Sequence, residues 1–437
     1  MEWYEAIGLL FALIIGMMLV GMPVAIAFLA SNIIGAYIFI GGEIGISQML
    51  RNGFGAMTNF SLVPIPMFLL MGELFYHTGL GQRMFNAIDR LFGNIPGRLA
   101  YVTVAGGTGF AALSGSSMGS TALLGSLMVP EMMKRGYNKY LSIGPILGTG
   151  GLAVIIPPSA LAVLLATLGQ TDVAALLIAG VIPGIILATM YFTLIAAWTM
   201  LDPGAAPGYN ADKASTREKL RLIAVDILPL IGAIVLTIGV MVTGWATPTE
   251  AAAIGCVAVL ILAVLYRSLS FQSIVASVNG ALRVTVMAFL IIFGSATFSQ
   301  ILAFSGASSG LISWATSFDT APLTMLLLMM AVLLFLGCFM DQLSMMLLTA
   351  PIFFPLANTL GFDLTWFGLI MLLTLEIGFT TPPFGLLLFV MKGVAPPGTT
   401  MKDIYLAATP FILCVFTLIA LIILFPPLAT WLPGIAQ

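Results

Sequence analysis

Two proline pairs set 225 residues apart, Pro157-Pro158 and Pro382-Pro383, each interrupt a long apolar run, and no other feature restricts the fold as tightly. The same interval carries Pro130 onto Pro355, Pro23 onto Pro248 and Ser116 onto Asp341. Each pair closes a two-part motif. Ser114-Gly-Ser-Ser117 is followed about 35 residues later by Gly150-Gly-Leu-Ala-Val-Ile-Ile-Pro-Pro-Ser159, and Met340-Asp-Gln-Leu-Ser344 at a similar distance by Gly378-Phe-Thr-Thr-Pro-Pro-Phe-Gly385. Lipid cannot satisfy the backbone groups such breaks release, so in a membrane they must be buried in protein or line a cavity. Matching breaks in two halves of a chain point to a transport site where the halves meet.

The membrane setting follows from composition. Of 437 residues, 60% are hydrophobic and 7% charged, against about 25% charged in soluble domains. That length holds roughly ten spans of about 20 residues. The net charge of −2 says nothing useful about partners, and no nucleic-acid partner is expected. Cys256, Cys338 and Cys414 are widely spaced in apolar runs and form neither a disulfide framework nor a metal spacing; they read as buried, inert thiols. The first apolar run, residues 6–41, has no basic leader or clear cleavage site and reads as retained membrane structure. Gly21-Met-Pro23 divides it into two spans.

The fold class expected is an all-α integral membrane protein with two inverted repeats, each holding a re-entrant helical hairpin and a broken transmembrane helix. The first repeat, residues 1–201, has spans within 4–79, an amphipathic arm at 81–92, a hairpin at 98–133, a broken helix at 141–169 and a span at 172–201. The polar stretch 202–223 reads as a linker. The second repeat, 224–437, has spans within 225–303, an arm at 307–318, a hairpin at 322–358, a broken helix at 364–393 and a last span at 404–425. Each hairpin arm is short for crossing a core about 30 Å thick at about 1.5 Å per residue, which places the polar turns near the midplane.

Charge distribution gives the orientation. Arg83, Arg90 and Arg98 precede the first hairpin and Lys134, Arg135 and Lys139 follow it, whereas residues 284–391 contain no Lys or Arg. The positive-inside rule opens the first hairpin to the cytoplasm and the second to the outside. The linker with Lys213, Arg217, Lys219 and Arg221 then lies inside, with Arg267, Arg283, Lys392 and Lys402, and the N-terminus with Glu2 and Glu5 lies outside. Arg51 is the exception. Thr247-Pro-Thr-Glu250 reads as a capping box with proline at the first helical position, so Glu250 is a cap.

The breaks bring half-helix ends towards the midplane. C-terminal ends offer carbonyls and partial negative charge; N-terminal ends offer N–H groups and partial positive charge. Carbonyls near Ser114, Gly150 and Gly378, with Ser and Thr hydroxyls, can replace water around a hard monovalent cation, while half-helices starting near Met118, Ala160, Ser344 and Phe384 present N–H groups to an anion. Asp341 breaks the symmetry, since its counterpart is Ser116. It can be a cation ligand, a helix cap or a proton relay; the first is preferred, because an uncompensated carboxylate at this depth is costly. Glu376 is a weaker candidate for the same site, Glu73 a packing or arm contact, and His77, the only histidine, an interfacial residue. No Walker A pattern and no credible Ser-His-Asp arrangement occur, so neither ATP hydrolysis nor an enzyme is expected. Energy must then come from an ion gradient, and the hydroxyl- and carbonyl-rich breaks favour sodium over protons.

Together the motifs Ser114–Ser117, Gly150–Ser159, Ala246-Thr-Pro-Thr-Glu-Ala-Ala-Ala253, Asp341 and Gly378–Pro383 make a chain that resembles, over essentially its whole length, the large membrane (M) subunit of the tripartite ATP-independent periplasmic (TRAP) transporters, within the ion transporter superfamily. The resemblance implies an elevator-type carrier, with a scaffold built from 4–79 and 225–303 and the remainder moving. It implies one sodium ion among Ser114, Ser116, Gly150, Gly151 and Pro157, a second among Asp341, Gly378, Thr380 and Thr381, and substrate touching Ser117 and Gln342. It also implies at least two sodium ions and no organic cofactor, a small four-span membrane subunit (the Q subunit), a soluble periplasmic substrate-binding protein, and a place in the bacterial inner membrane. The expected function is sodium-coupled uptake of an organic acid, either a sugar acid such as sialic acid or a C4-dicarboxylate. A stand-alone sodium/anion symporter is the alternative, and an ion channel using the hairpins as a filter a more distant one.

Overall fold

The computed structural model describes residues 2–92, 95–114, 117–207, 215–317, 321–382 and 385–436. Among these residues every regular element is a helix. Among the described residues, seven helices are long and apolar enough to cross a membrane, or eight if one bent pair counts as a span.

In the first half the helices are α1 (Trp3–Leu19), α2 (Val24–Ala36), α3 (Gly42–Met57), α4 (Pro64–His77), α5 (Leu80–Phe92), α6 (Arg98–Ser114), α7 (Ser117–Lys134), α8 (Lys139–Ile155), α9 (Ala160–Leu168), α10 (Val173–Ala179) and α11 (Val181–Leu201). The second half has α12 (Thr216–Arg221), α13 (Leu228–Val242), α14 (Pro248–Leu265), α15 (Phe271–Phe304), α16 (Ala307–Thr316), α17 (Pro322–Gly337), α18 (Gln342–Thr359), α19 (Leu364–Thr380), α20 (Leu386–Val394), α21 (Met401–Leu424) and α22 (Pro427–Ala436).

The position of α8 and α19 follows from their sequences, which are apolar on every side instead of along one stripe. Such a helix must be enclosed all round. Residues Leu141 to Ile155 of α8 and Trp366 to Thr380 of α19 are all buried, and the two helices touch. Around them lie α6, α7, α11 and α21 on the α8 side and α17 and α18 on the α19 side. A second group forms about α4 and α15, which cross each other and carry α2, α3 and α14. Asn32 Nδ2 of α2 donates to Gly294 O at 2.8 Å and Thr297 Oγ1 at 2.7 Å on α15. Interhelical bonds of this kind contribute on the order of 1 kcal/mol each in a membrane. Helices α9 and α18 lie against α4 and α15, so the two groups meet over the starts of the half-helices.

The helices depart from the expected spans in several places. Helix α3 occupies a stretch left without an element, because Ser47, Gln48, Arg51 and Asn52 make it look like a loop. It follows a π-helical turn at Tyr37–Gly41, and Gly41 and Gly42 have φ of 112° and 66°, a region that side chains rarely enter. Helix α15 begins at Phe271 rather than near 283; its polar start carries Ser270 in a capping box with Ser273. Helix α12 begins at Thr216, inside the expected linker, and runs through a π-turn at Leu222–Ile227 into α13. Ser215 caps it, and α12 with its π-turn braces α5: Arg83 pairs with Asp226 at 2.5 Å and Arg90 with Glu218 at 3.4 Å. Helix α22 also had no counterpart among the expected elements.

Candidate functional site

In the first half the chain breaks between α8 and α9. Pro157 and Pro158, joined by a cis bond, interrupt the helix, and the two pieces lie at 49° to each other. Ser159 knits them together. Its hydroxyl donates to Val154 O at 2.7 Å, satisfying a carbonyl of α8, and accepts from Ala162 N at 3.2 Å, capping α9. A Ser159→Ala variant removes both bonds inside a buried site; the expected loss is about 1–2 kcal/mol, read as a lower melting temperature of the purified complex.

Facing this break is the start of α7. Ser117, its first residue, donates to Gly150 O at 3.4 Å and to Glu376 Oε2 at 3.3 Å. Gly150 and Gly151 lie within the last turns of α8, and Pro157 is buried just beyond its end. Ser114 is the last residue of α6, and only its backbone is described; Ser116 lies outside the described residues.

The matching motif of the second half carries different chemistry. Asp341 is the N-cap of α18, and its Oδ2 accepts from Leu343 N at 3.1 Å and Ser344 N at 3.4 Å, while Ser344 Oγ donates to Oδ1. The capping role weighed in the sequence is therefore present, and the carboxylate keeps further lone pairs for a cation. Gly378 and Thr380 lie in the last turn of α19 and Thr381 is its C-cap. Thr380 Oγ1 donates to Glu376 O at 2.9 Å and Thr381 Oγ1 to Ile377 O at 2.5 Å, so both hydroxyl oxygens remain free to accept or ligate. Gly337, the end of α17, abuts Gly378 directly: a Cβ on Gly378 would lie 3.0 Å from Leu333 O and 3.1 Å from Gly337 Cα.

The halves join at Glu376. Its Oε2 accepts from Ser117 at the start of α7 and from Gln342 Nε2 at the start of α18, and its Oε1 faces Gly150, where any Cβ would collide with it. One buried carboxylate on α19 thus touches the starts of α7 and α18 and the last turns of α8. In front of these starts lies a cavity of about 190 Å³. Ser117, Asp341, Gln342 and Phe379 line one side; Ile65, Leu69 and Glu73 of α4 and Val284 and Ala288 of α15 line the other. Among the described residues its charged lining is acidic, Glu73 and Asp341, with no Lys or Arg.

The sequence placed Glu73 as an arm or packing contact, yet it lines the cavity, with His77 3.2 Å away. The signal was present, since Ile65, Leu69 and Glu73 recur at four-residue spacing on one face of α4. Glu376 was ranked below Asp341, although it is the only acidic residue in an otherwise enclosed helix. Gly337 left no mark, because a glycine in an apolar run does not reveal what passes beside it.

Comparison with known proteins identifies a family and a related fold. The family described as "Tripartite ATP-independent periplasmic transporter, DctM component" matches residues 11–428. The C4-dicarboxylate TRAP transporter large permease protein of Rhodobacter capsulatus is 29% identical, over 98% of this chain and 98% of its own length. The sialic acid TRAP transporter large permease protein of Vibrio cholerae is 29% identical over 96% of each chain. Among solved structures, the Alcanivorax borkumensis YdaH transporter superposes with a TM-score of 0.60 at 13% identity, covering 89% of this chain and 91% of that one, a likeness of fold alone.

Proposed function

Because this chain belongs to the DctM-component family of the tripartite ATP-independent periplasmic transporters, we propose that it is the membrane permease of a binding-protein-dependent secondary transporter that imports an organic acid anion by sodium symport. The chain is a multipass membrane protein, and a tripartite family implies a membrane partner and a periplasmic binding protein beside it. The partner in this reading is a small four-span subunit, and the whole sits in the bacterial inner membrane with this chain's N-terminus on the periplasmic side.

One observation carries the sodium reading: among the described residues the cavity at the starts of α7 and α18 is lined by two carboxylates and no basic side chain. An anion entering such a space meets net repulsion unless cations enter with it. Helix N-termini supply part of the attraction, and cations held by released carbonyls and hydroxyls supply the remainder. The first sodium ion is assigned to Ser114, Ser116, Gly150, Gly151 and Pro157, the second to Asp341, Gly378, Thr380 and Thr381, and substrate to Ser117 and Gln342. Two inverted repeats would place these groups at one depth, and an elevator movement of the α8/α19 group along α4 and α15 would expose them in turn. Substrates of the relatives include a C4-dicarboxylate and sialic acid. A cavity of about 190 Å³, below the ~300 Å³ at which ligand pockets usually begin, favours the smaller acid.

Uptake into proteoliposomes containing this chain, its membrane partner and its binding protein is expected to require both the binding protein and an inward sodium gradient. Accumulation that persists after the gradient is collapsed would remove the sodium assignment, and accumulation without binding protein would favour a stand-alone symporter.

A further inference from the structure

We propose that the cargo is a monocarboxylate with an apolar body, and that Glu73 on α4 is the residue that rejects a second carboxylate. This refinement rests on the transport reading above, in which Ser117 and Gln342 hold the substrate. A volume of about 190 Å³ limits the size of the cargo, and the lining decides which of its ends is charged.

At the tips a single carboxylate is well received. The starts of α7 and α18 supply the partial positive charge of helix N-termini, and Gln342 Nε2 keeps a second N–H beyond the one given to Glu376. Away from the tips the lining is hydrocarbon: Ile65 and Leu69 of α4, Leu161 and Leu164 of α9, and Val284 and Ala288 of α15. None of these side chains carries a hydrogen-bond donor. A carboxylate placed among them loses its water and gains nothing in exchange, whereas a methyl-bearing chain gains by leaving water.

Among the described residues the charged group on this part of the lining is Glu73. Helix α15 holds it there: Ser277 Oγ donates to Glu73 O at 3.1 Å, and Gly280 leaves the room its carboxylate fills, since a Cβ at 280 would press on Oε2. His77 Nε2 lies 3.2 Å from Oε2, but His77 does not line the cavity, so on this side the cargo meets the carboxylate and no cation. A second carboxylate would face Glu73 in surroundings of low polarity, where like charges repel strongly. The sodium ions of the transport reading are assigned to the tips and leave that contact uncompensated. An ammonium group would be drawn to Glu73, yet the hydrocarbon around it provides no further acceptor, and the lining therefore favours a methyl-bearing end.

Three acids of similar length test the assignment: isocaproate, succinate, in which a carboxylate replaces the isopropyl group, and γ-aminobutyrate, which ends in an ammonium group. Their affinities are measured by isothermal titration on the purified permease with its membrane partner, in sodium chloride at fixed pH. The binding protein is left out, so its own selectivity does not enter. Isocaproate is expected to bind at least about tenfold more tightly than either of the others. Glu73→Gln is expected to tighten succinate by about tenfold and to leave isocaproate within about twofold. Succinate or γ-aminobutyrate binding the wild type as tightly as isocaproate, or no binding by any of the three, would overturn the proposal without any variant having to fold. Succinate affinity unchanged in Glu73→Gln would overturn the part given to Glu73. Titrations repeated in potassium chloride address the transport reading separately: isocaproate bound as tightly in potassium as in sodium would overturn sodium coupling and leave the cargo assignment standing.

Discussion

Replacement of Gly337 by valine is expected to abolish uptake and to lower the amount of folded protein recovered from membranes. At this point α17 and α19 touch backbone to backbone, and a Cβ on Gly337 would run into Gly378 itself. A flexible side chain could swing aside; a helix backbone enclosed on all sides cannot. Overpacking a filled interior costs about 1–3 kcal/mol and sometimes more, and this position belongs at the upper end because the obstacle is main chain. Small residues permit such close approach between membrane helices. Gly232→Ala serves as the control: nothing lies within 4 Å of the added Cβ, and a change within about 0.5 kcal/mol is expected. Detergent size-exclusion profiles and uptake assays read both variants. Normal uptake by Gly337→Val would mean that the contact is dispensable for transport.

The second large effect is expected at Asp341, where two substitutions separate two roles. Asparagine keeps a side-chain oxygen able to accept from Leu343 N and Ser344 N, so Asp341→Asn should fold normally. Without the negative charge it should lower apparent sodium affinity in uptake by about tenfold or more, the scale of one charge-assisted contact. Asp341→Ala removes the cap as well and is expected to cost about 1 kcal/mol of stability in addition. Unchanged sodium dependence in Asp341→Asn, with loss only in Asp341→Ala, would assign the residue to capping alone.

The parts of the fold legible in the sequence were those that leave a periodic or punctuating mark. The Gly/Pro interruptions located the break between α8 and α9, and the uniform apolarity of α8 and α19 is what full enclosure requires. Helix α3 and the first turns of α15 were not legible, because polar residues on helices that emerge from or skirt a membrane look like loops. The candidate site was legible only one residue type at a time. Ser117 and Gln342 stand at matching places in the two motifs, but that they meet on one carboxylate depends on how α7, α18 and α19 cross. Such a meeting has no spacing in the sequence. Glu73 could have been placed from the α4 face it shares with Ile65 and Leu69, whereas the Gly337–Gly378 contact could not have been read from either residue alone.

The complete enclosure of α8 and α19 bears on biogenesis. A helix that ends in an unpaired break is a poor passenger in lipid, where released carbonyls and N–H groups have no solvent. Neither helix can therefore reach its final state as an independent inserted unit. Each must wait for neighbours translated after it: α8 for α19 and α21, far along the chain, and α19 for α21. Assembly of the centre is in this sense among the last events of synthesis, and a chain truncated before α21 would leave its innermost helix facing a bilayer it is not built to meet.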